Sequence, residues 1–436
     1  MTGISRDSQD GLEWRYTIFS AVPHWTRQPS IPAIENVCRQ RLNIIPGDLC
    51  RVSSYASGAF NKLYRVECID QTLIMRVSLP VCPHYKTRGE VATLSWLRQN
   101  TTAPVPKVVA SDASNNNEIG FEWILMELMP GYRAYHKWRT MSMEQKVTLT
   151  KRIAEIQVEL FRYGRPDDAF RGIGTPYINA QGRDDISTSI APGLLTSLEF
   201  FIGNRLKYEV SRGPFTCSYA WLESQLNLIV LEQTEIYDEA ADDDDKEDAE
   251  EILGLARQLL SLLPQVFPSA DEANTEPTVL WHDDLNLHNI IVSEQGEITA
   301  IVDWECVSAL PMWITTETPK FLQGNTRVDE PKRDDYSKET PEPAASNEDH
   351  DSDHLDNEGI DSLYWIHRMD YEKTQLREVY ETTLRELWYG WPLQDSFIKI
   401  DFYTAVLQCG SGLFLKQTER WIHQIQSGNV IRWADA

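Results

Sequence analysis

The sequence predicts an α+β fold in two lobes, a small antiparallel β lobe followed by a larger, mainly helical one. Three observations predict it. The chain has 436 residues, more than one hydrophobic core usually supports. Residues 50–80 alternate apolar and polar side chains with period two, as paired strands do. From residue 142 onward apolar residues recur every three or four positions, the spacing of helices packed on a core. An apolar content of 42% and fourteen Trp suit a folded chain.

Residues 1–45 read as an N-terminal arm, extended around Trp14 and Trp25, with a short helix near 32–42. Residues 46–128 form the β lobe. In 64–68, Tyr64, Val66 and Cys68 face one way and Arg65 and Glu67 the other. In 73–79, Leu73, Met75, Val77 and Leu79 alternate with Ile74, Arg76 and Ser78. Ahead of them lies the small-residue stretch Ser53 to Asn61. Ser57 and Gly58 lie at its turn, where a backbone without bulk lets N–H groups approach a phosphate. One Gly is far from a full G-x-G-x-x-G, and an ordinary hairpin turn would look the same. Arg76 is the strongly basic residue of its strand, and a guanidinium can bridge two phosphate oxygens. A helix over 90–98 follows, with Val91, Leu94 and Leu97 inward and Glu90 in its first turn. Phe121 to Met126 is a buried strand that runs through Leu128 into the turn Pro130-Gly131.

Residues 129–436 form the helical lobe. Ser142-x-x-Gln145 is a capping box, and Leu149, Ile153, Ile156 and Leu160 continue it as a core stripe. Helices are expected over 192–208, 218–237, 361–390 and 396–426. The acidic run 238–251 reads as a solvated loop entering the next helix, whose first turn favours its last carboxylates. Residues 329–358, rich in Pro, Asp and Glu, read as a disordered insertion.

The chemistry concentrates in residues 279–305. Two apolar runs, 290–293 and 298–302, flank a connection containing Gly296 and predict a β-hairpin. The hairpin brings its ends together, Asn289 opening one strand and Asp303 closing the other. An amide oxygen and a carboxylate converge there, with Asp284 just upstream on a polar loop. Hard oxygen ligands of this kind suit Mg²⁺. A nearby carboxylate can accept the proton of an attacking hydroxyl, and phosphoryl transfer needs such a set.

This block, His282-Asp-Asp284 through Asn289 and on to Asp303-Trp-Glu305, resembles the catalytic and metal loops of protein-kinase-like enzymes. It is similar in particular to the fungal branch of the aminoglycoside phosphotransferase (APH) family. The resemblance runs from about Trp14 to the C-terminus and includes the Thr-x-Ala-Pro-Val-Pro loop within Thr101–Val108 and the hinge strand. It implies a protein-kinase-like two-lobe fold that binds ATP and Mg²⁺ and phosphorylates a hydroxyl of a small molecule. It implies Asp284 and Asn289 as catalytic residues and Asn289 and Asp303 as metal ligands. Ser57, Gly58, Arg76, Glu90, Met126 and Leu128 would bind the nucleotide, Glu90 by orienting Arg76. His282 would hold the loop backbone. Two departures stand out: Asp283 replaces the usual Gly and Leu287 the usual Pro, which weakens any transfer of an antibiotic substrate. No regulated activation segment follows Asp303-Trp-Glu305, which disfavours a protein kinase. The alternative function is a nucleotide-binding or scaffolding pseudokinase.

Composition bounds the partners. The net charge of −25 disfavours nucleic acid binding. Residues 238–251 and 329–358 each carry −9, so the remainder holds −7, an ordinary value. No apolar run approaches the roughly 18 residues of a membrane span. The N-terminus lacks an apolar signal core, and seven Cys form no C-x-x-C. The expectation is a cytoplasmic monomer acting on a small molecule, with no nucleic acid and no membrane.

Overall fold

The computed structural model describes residues 9–17, 21–162, 170–178, 190–268, 275–336, 362–388 and 396–436. The N-terminal arm is more ordered than an extended lead-in. Strands β1 (Leu12–Tyr16) and β2 (Ala21–Trp25) pair as an antiparallel hairpin, followed by α1 (Ile31–Arg41). Arg27 ties this unit to the β lobe. It donates to the Gly120 carbonyl at 2.7 Å and lies over the Phe121 ring, against which Trp25 also packs.

The alternation over 50–80 becomes β3 (Cys50–Ser57), β4 (Asn61–Cys68) and β5 (Thr72–Ser78). Helix α2 (Tyr85–Asn100) follows, then β6 (Val108–Asp112) and β7 (Glu122–Glu127). The five strands form one antiparallel sheet in the order β3-β4-β5-β7-β6. Period two decides its two faces. Leu73, Met75 and Val77 pack with Ile34 and Val37 of α1, whereas Ile74 joins Leu94 of α2 and Met126. Arg76 shares the second face.

Helix α2 begins five residues before the start expected at Glu90. Its first turns bury Lys86, Thr87 and Gly89, which carry no apolar period to announce them. Glu90 therefore belongs to the second turn and not to the exposed helix end.

The helical lobe opens with β8 (Tyr132–Arg133), α3 (Ala134–Lys137) and α4 (Met143–Arg162). The capping box forms as expected: Ser142 N–H donates to Gln145 Oε1 at 2.7 Å, and Gln145 N–H to Ser142 Oγ at 3.2 Å. Leu149, Ile153, Ile156 and Leu160 are buried. Short strands β9 (Phe170–Arg171), β10 (Pro176–Ile178) and β11 (Ile190–Pro192) lead to α5 (Leu198–Phe201). The helix expected over 192–208 is thus reduced to α5 and a 3₁₀ turn at Arg205–Lys207. Gly203, at φ +61°, breaks it, and Arg205 turns inward to pair with Glu232 at 2.7 Å.

Helices α6 (Ser218–Glu239) and α7 (Asp243–Val266) correct the reading of the acidic run. Residues 238–251 are nearly all helical, broken only between Glu239 and Asp243. Asp242 caps α7 by accepting the Asp245 N–H at 2.9 Å, and Asp243 to Asp245 fill the positive end of the helix dipole. Local acid density reads as solvated loop, yet it is also what a helix N-terminus favours.

Next come β12 (Pro277–Trp281), β13 (Ile290–Val292), β14 (Ile298–Ile301) and β15 (Ser308–Pro311). Of the acidic insertion, residues 329–336 are described: Glu330 pairs with Arg368 and Tyr336 meets His367 at 2.7 Å. Residues 337–358 lie outside the described residues. Helices α8 (Ser362–Leu387), α9 (Ser396–Ser411) and α10 (Leu415–Gln426) close the lobe. Among the described residues no helix is long and apolar enough to cross a membrane.

Candidate active site

The predicted hairpin is present. Ile290 pairs with Ile301 and Ile291 with Ala300, and the turn holds Gly296 at φ +82°. Pairing continues one step past the strands, where Val302 N–H donates to the Asn289 carbonyl at 2.9 Å. Asp303 then takes a left-handed φ of +65°, which a short polar side chain tolerates. This turn separates three consecutive side chains. Asp303 lines the inter-lobe cleft. Trp304 is buried, with its indole N–H on the Ile301 carbonyl at 2.9 Å. Glu305 reaches back into the β lobe.

Five charged groups meet at that point: Arg76, Lys86, Glu90, Asp303 and Glu305. Arg76 donates through Nη1 to Glu90 Oε1 at 2.8 Å and through Nη2 to Asp303 Oδ1 at 2.9 Å. The same Nη2 lies 2.5 Å from Glu305 Oε2, which is also 2.5 Å from Lys86 Nζ. Asn61 Nδ2 donates to that carboxylate at 2.9 Å, and Asn61 Oδ1 accepts from Ser78 and Lys86. Arg76, Lys86 and Glu90 are each at most 5% exposed, so these charges persist only because they are paired. The two glutamates diverge. Burial pushes Glu90 up to about 7, against the pull of Arg76. Burial also opposes charge on Glu305, but Arg76 and Lys86 outweigh it and hold that carboxylate down at about 2. Arg76 Nε is buried and has no hydrogen-bond partner among the described residues.

The cleft between the lobes has a volume of about 310 Å³. Ser57 and Gly58 line its roof, Arg76 and Glu90 its back, Met126 and Leu128 the hinge side, and Asn289 and Asp303 the lower lobe. His288, stacked on Tyr135 at 4.3 Å, lines it too. A Cβ at Gly58 would meet only the Asn61 carbonyl oxygen, at an ordinary contact of 3.8 Å. The cleft thus gathers all the residues the sequence nominated except Asp284.

Asp284 stands just beyond the cleft lining and is linked to it by Asn289. Asn289 Nδ2 donates to the Asp284 carbonyl at 2.9 Å and to Oδ2 at 3.2 Å. Lys320 Nζ meets Oδ1 at 3.0 Å. His282 is buried, with Nε2 3.2 Å from the Val302 carbonyl. Burial lowers its pKa, against the Val302 carbonyl and the Asp303 and Asp284 carboxylates. Asp283 keeps exposed surface yet is crowded by protein. That poor solvation, and then Glu199, pushes its carboxyl up to about 6. Among the described residues no three His, Cys, Asp or Glu side chains gather as a self-sufficient metal cluster.

Lys86, Asn61, Glu305 and Lys320 were missed as participants. For Lys86 a signal existed: it stands four residues before Glu90, on one helix face, which needed only the earlier helix start to be seen. Asn61, Glu305 and Lys320 gave none, because their partners are distant in sequence.

Residues 51–314 match the family model described as the phosphotransferase enzyme family, APH. A subtelomeric hrmA-associated cluster protein of Aspergillus fumigatus is 26% identical over 314 residues, covering 62% of this chain and 60% of the relative. The chain therefore spans about 60% of the length of that curated relative. Among solved structures, a thermostable mutant of aminoglycoside phosphotransferase APH(4)-Ia, in a ternary complex with ADP and hygromycin B, is 11% identical. It covers 91% of this chain and 97% of its own, with a TM-score of 0.42. Macrolide 2'-phosphotransferase MphH from Brachybacterium faecium is 11% identical, covering 91% and 94%, with a TM-score of 0.38. With the family model spanning more than half of its residues, this chain belongs to the APH phosphotransferase family.

Proposed function

We propose that the protein transfers the γ-phosphoryl group of ATP to a hydroxyl of a small molecule. The observation that carries the reading is the gathering of Arg76, Glu90, Asn289 and Asp303 in one cleft, with Asp284 hydrogen-bonded to Asn289 at its edge. A cleft of about 310 Å³ lies in the range of small-molecule sites.

Asp284 is the proposed base. As the acceptor O–H bond breaks, its proton passes to the Asp284 carboxylate. The acceptor oxygen bonds to phosphorus, and the bond from phosphorus to the ADP oxygen breaks. Asn289 holds that carboxylate in place through its amide nitrogen. This leaves the amide oxygen of Asn289 and the second oxygen of Asp303 as hard donors toward the cleft. Mg²⁺ needs one or two such protein oxygens besides phosphate, so the donor set fits it. Bound there, Mg²⁺ would neutralise phosphate charge. Ser57 and Gly58 offer backbone to the phosphates, and the Met126–Leu128 hinge offers backbone groups to the base.

A non-catalytic nucleotide-binding role is the second reading. Arg76 favours it, because both terminal nitrogens already face carboxylates.

One experiment separates the two. Mg²⁺·ATP should raise the melting temperature of the wild type and of Asp284→Asn alike. Only the wild type should turn over ATP across a library of hydroxylated metabolites. Stabilisation by Mg²⁺·ATP with no product from any acceptor selects the second reading. No stabilisation at millimolar ATP sinks both.

A further inference from the structure

Asp284 has a donor on each carboxylate oxygen: Asn289 on Oδ2 and Lys320 on Oδ1. The Lys320–Asp284 pair is half exposed, at 50% and 46%. A pair so open to water adds little to folding, so stability does not account for it.

The backbone of Lys320 is nonetheless fixed. Lys320 opens a 3₁₀ turn, Lys320–Leu322, whose other two residues are buried. Phe321 N–H donates to the Leu285 carbonyl at 2.9 Å, which joins the turn to the loop that carries Asp284. Arg377 of α8 grips the Leu322 carbonyl at 2.8 Å. These bonds hold Lys320 beside Asp284 whether or not the ion pair forms.

The charges nearby give this cation a task. Burial raises the carboxyls of Asp283 and Glu317, and in both Lys320 pulls the other way. A phosphoryl donor bound in the adjoining cleft would add further negative charge beside Asp284. The loop from His282 to Asn289 contains no Lys or Arg. Arg76 is engaged by Glu90, Asp303 and Glu305.

The geometry points to Lys320 as a catalytic cation that contacts the transferring phosphoryl group while holding Asp284, an assignment that rests on the phosphotransfer reading above. An ammonium has three donors. One meets Asp284, and two remain for phosphoryl oxygens. The acceptor proton goes to Asp284, the new O–P bond forms and the P–O bond to ADP breaks. Lys320 keeps its three protons throughout and offsets charge on the phosphoryl oxygens as they pass between donor and acceptor.

The test uses binding and needs no acceptor. The Mg²⁺ complexes of AMP-PNP and ADP are titrated calorimetrically into the wild type, Lys320→Met and Lys320→Arg. ADP lacks the phosphoryl group that Lys320 is proposed to contact. Lys320→Met should weaken AMP-PNP about tenfold and leave ADP within about twofold. Lys320→Arg should recover AMP-PNP affinity to within about threefold of the wild type, because the charge is restored. An unchanged preference for AMP-PNP over ADP in Lys320→Met overturns the assignment. Equal weakening of both nucleotides also overturns it, since that marks a structural role. A wild type that binds neither nucleotide fails at the nucleotide reading itself, and the assignment falls with it.

Discussion

Lys86 Nζ and Glu305 Oε2 meet at 2.5 Å between the lobes, with Lys86 almost wholly buried. The contact joins the second residue of α2 to the segment just after Asp303, and Arg76 shares the same carboxylate. The Asp303-Trp304-Glu305 sequence thus acts as an inter-lobe clamp. Asp303 faces the cleft, Trp304 anchors below, and Glu305 holds two buried cations above.

Removing that carboxylate leaves Arg76 and Lys86 under-neutralised away from water. Glu305→Ala should lower the unfolding free energy by about 3–5 kcal/mol in urea titrations. Glu305→Gln, which retains an oxygen acceptor, should fall between the two. A loss under about 1 kcal/mol for Glu305→Ala would place this pair with weak surface bridges and contradict the clamp.

Glu90 gives a pH signature. Its native value, about 7, lies above the ordinary 4.5. Between those pH values the native protein keeps a proton that the unfolded chain has released. Stability should therefore decline as pH rises from about 4.5 to about 7. Glu305, held near 2, acts oppositely: its contribution is present above about 4.5 and is lost as pH falls toward 2. Melting curves of wild type and Glu90→Gln should converge at acid pH relative to their separation near neutrality. Curves that run parallel from pH 5 to 7 would falsify the assignment.

Asp284→Asn should cut turnover of ATP by roughly 10²–10⁴-fold, the usual contribution of a positioned base, while nucleotide affinity holds. Stopped-time product assays and calorimetry read the two separately. A variant that loses affinity and turnover in parallel would move Asp284 from proton transfer to nucleotide binding.

Gly131 tests the hinge. It sits at φ +123°, and an added Cβ would stand 2.4 Å from the Val292 carbonyl and 2.9 Å from Thr299 Oγ1. Gly131→Ala adds strain and a backbone clash at the cleft wall, so it should cost more than about 1 kcal/mol and weaken nucleotide binding. Wild-type stability and affinity in this variant would show that the hinge relaxes freely.

The sequence by itself determined what local pattern encodes. Period two over residues 50–80 specified the strands and placed Arg76 on the face of Ile74 and Ser78. Ser142 and Gln145 specified a helix start, and the two apolar runs around Gly296 specified the hairpin that brings Asn289 to Asp303. Each depends on residues a few positions apart, whose geometry the backbone repeats impose. The tertiary structure alone decided which charges meet. Arg76 and Asp303 are 227 residues apart, Asn61 and Glu305 are 244, and Lys320 reaches Asp284 from 36 residues away. Buried polar side chains break apolar periodicity, so Lys86 hid the true start of α2. An acid-rich stretch can be a loop or the N-terminus of a helix, and only packing of Ile252, Leu255 and Leu259 into the core made residues 243–251 helical.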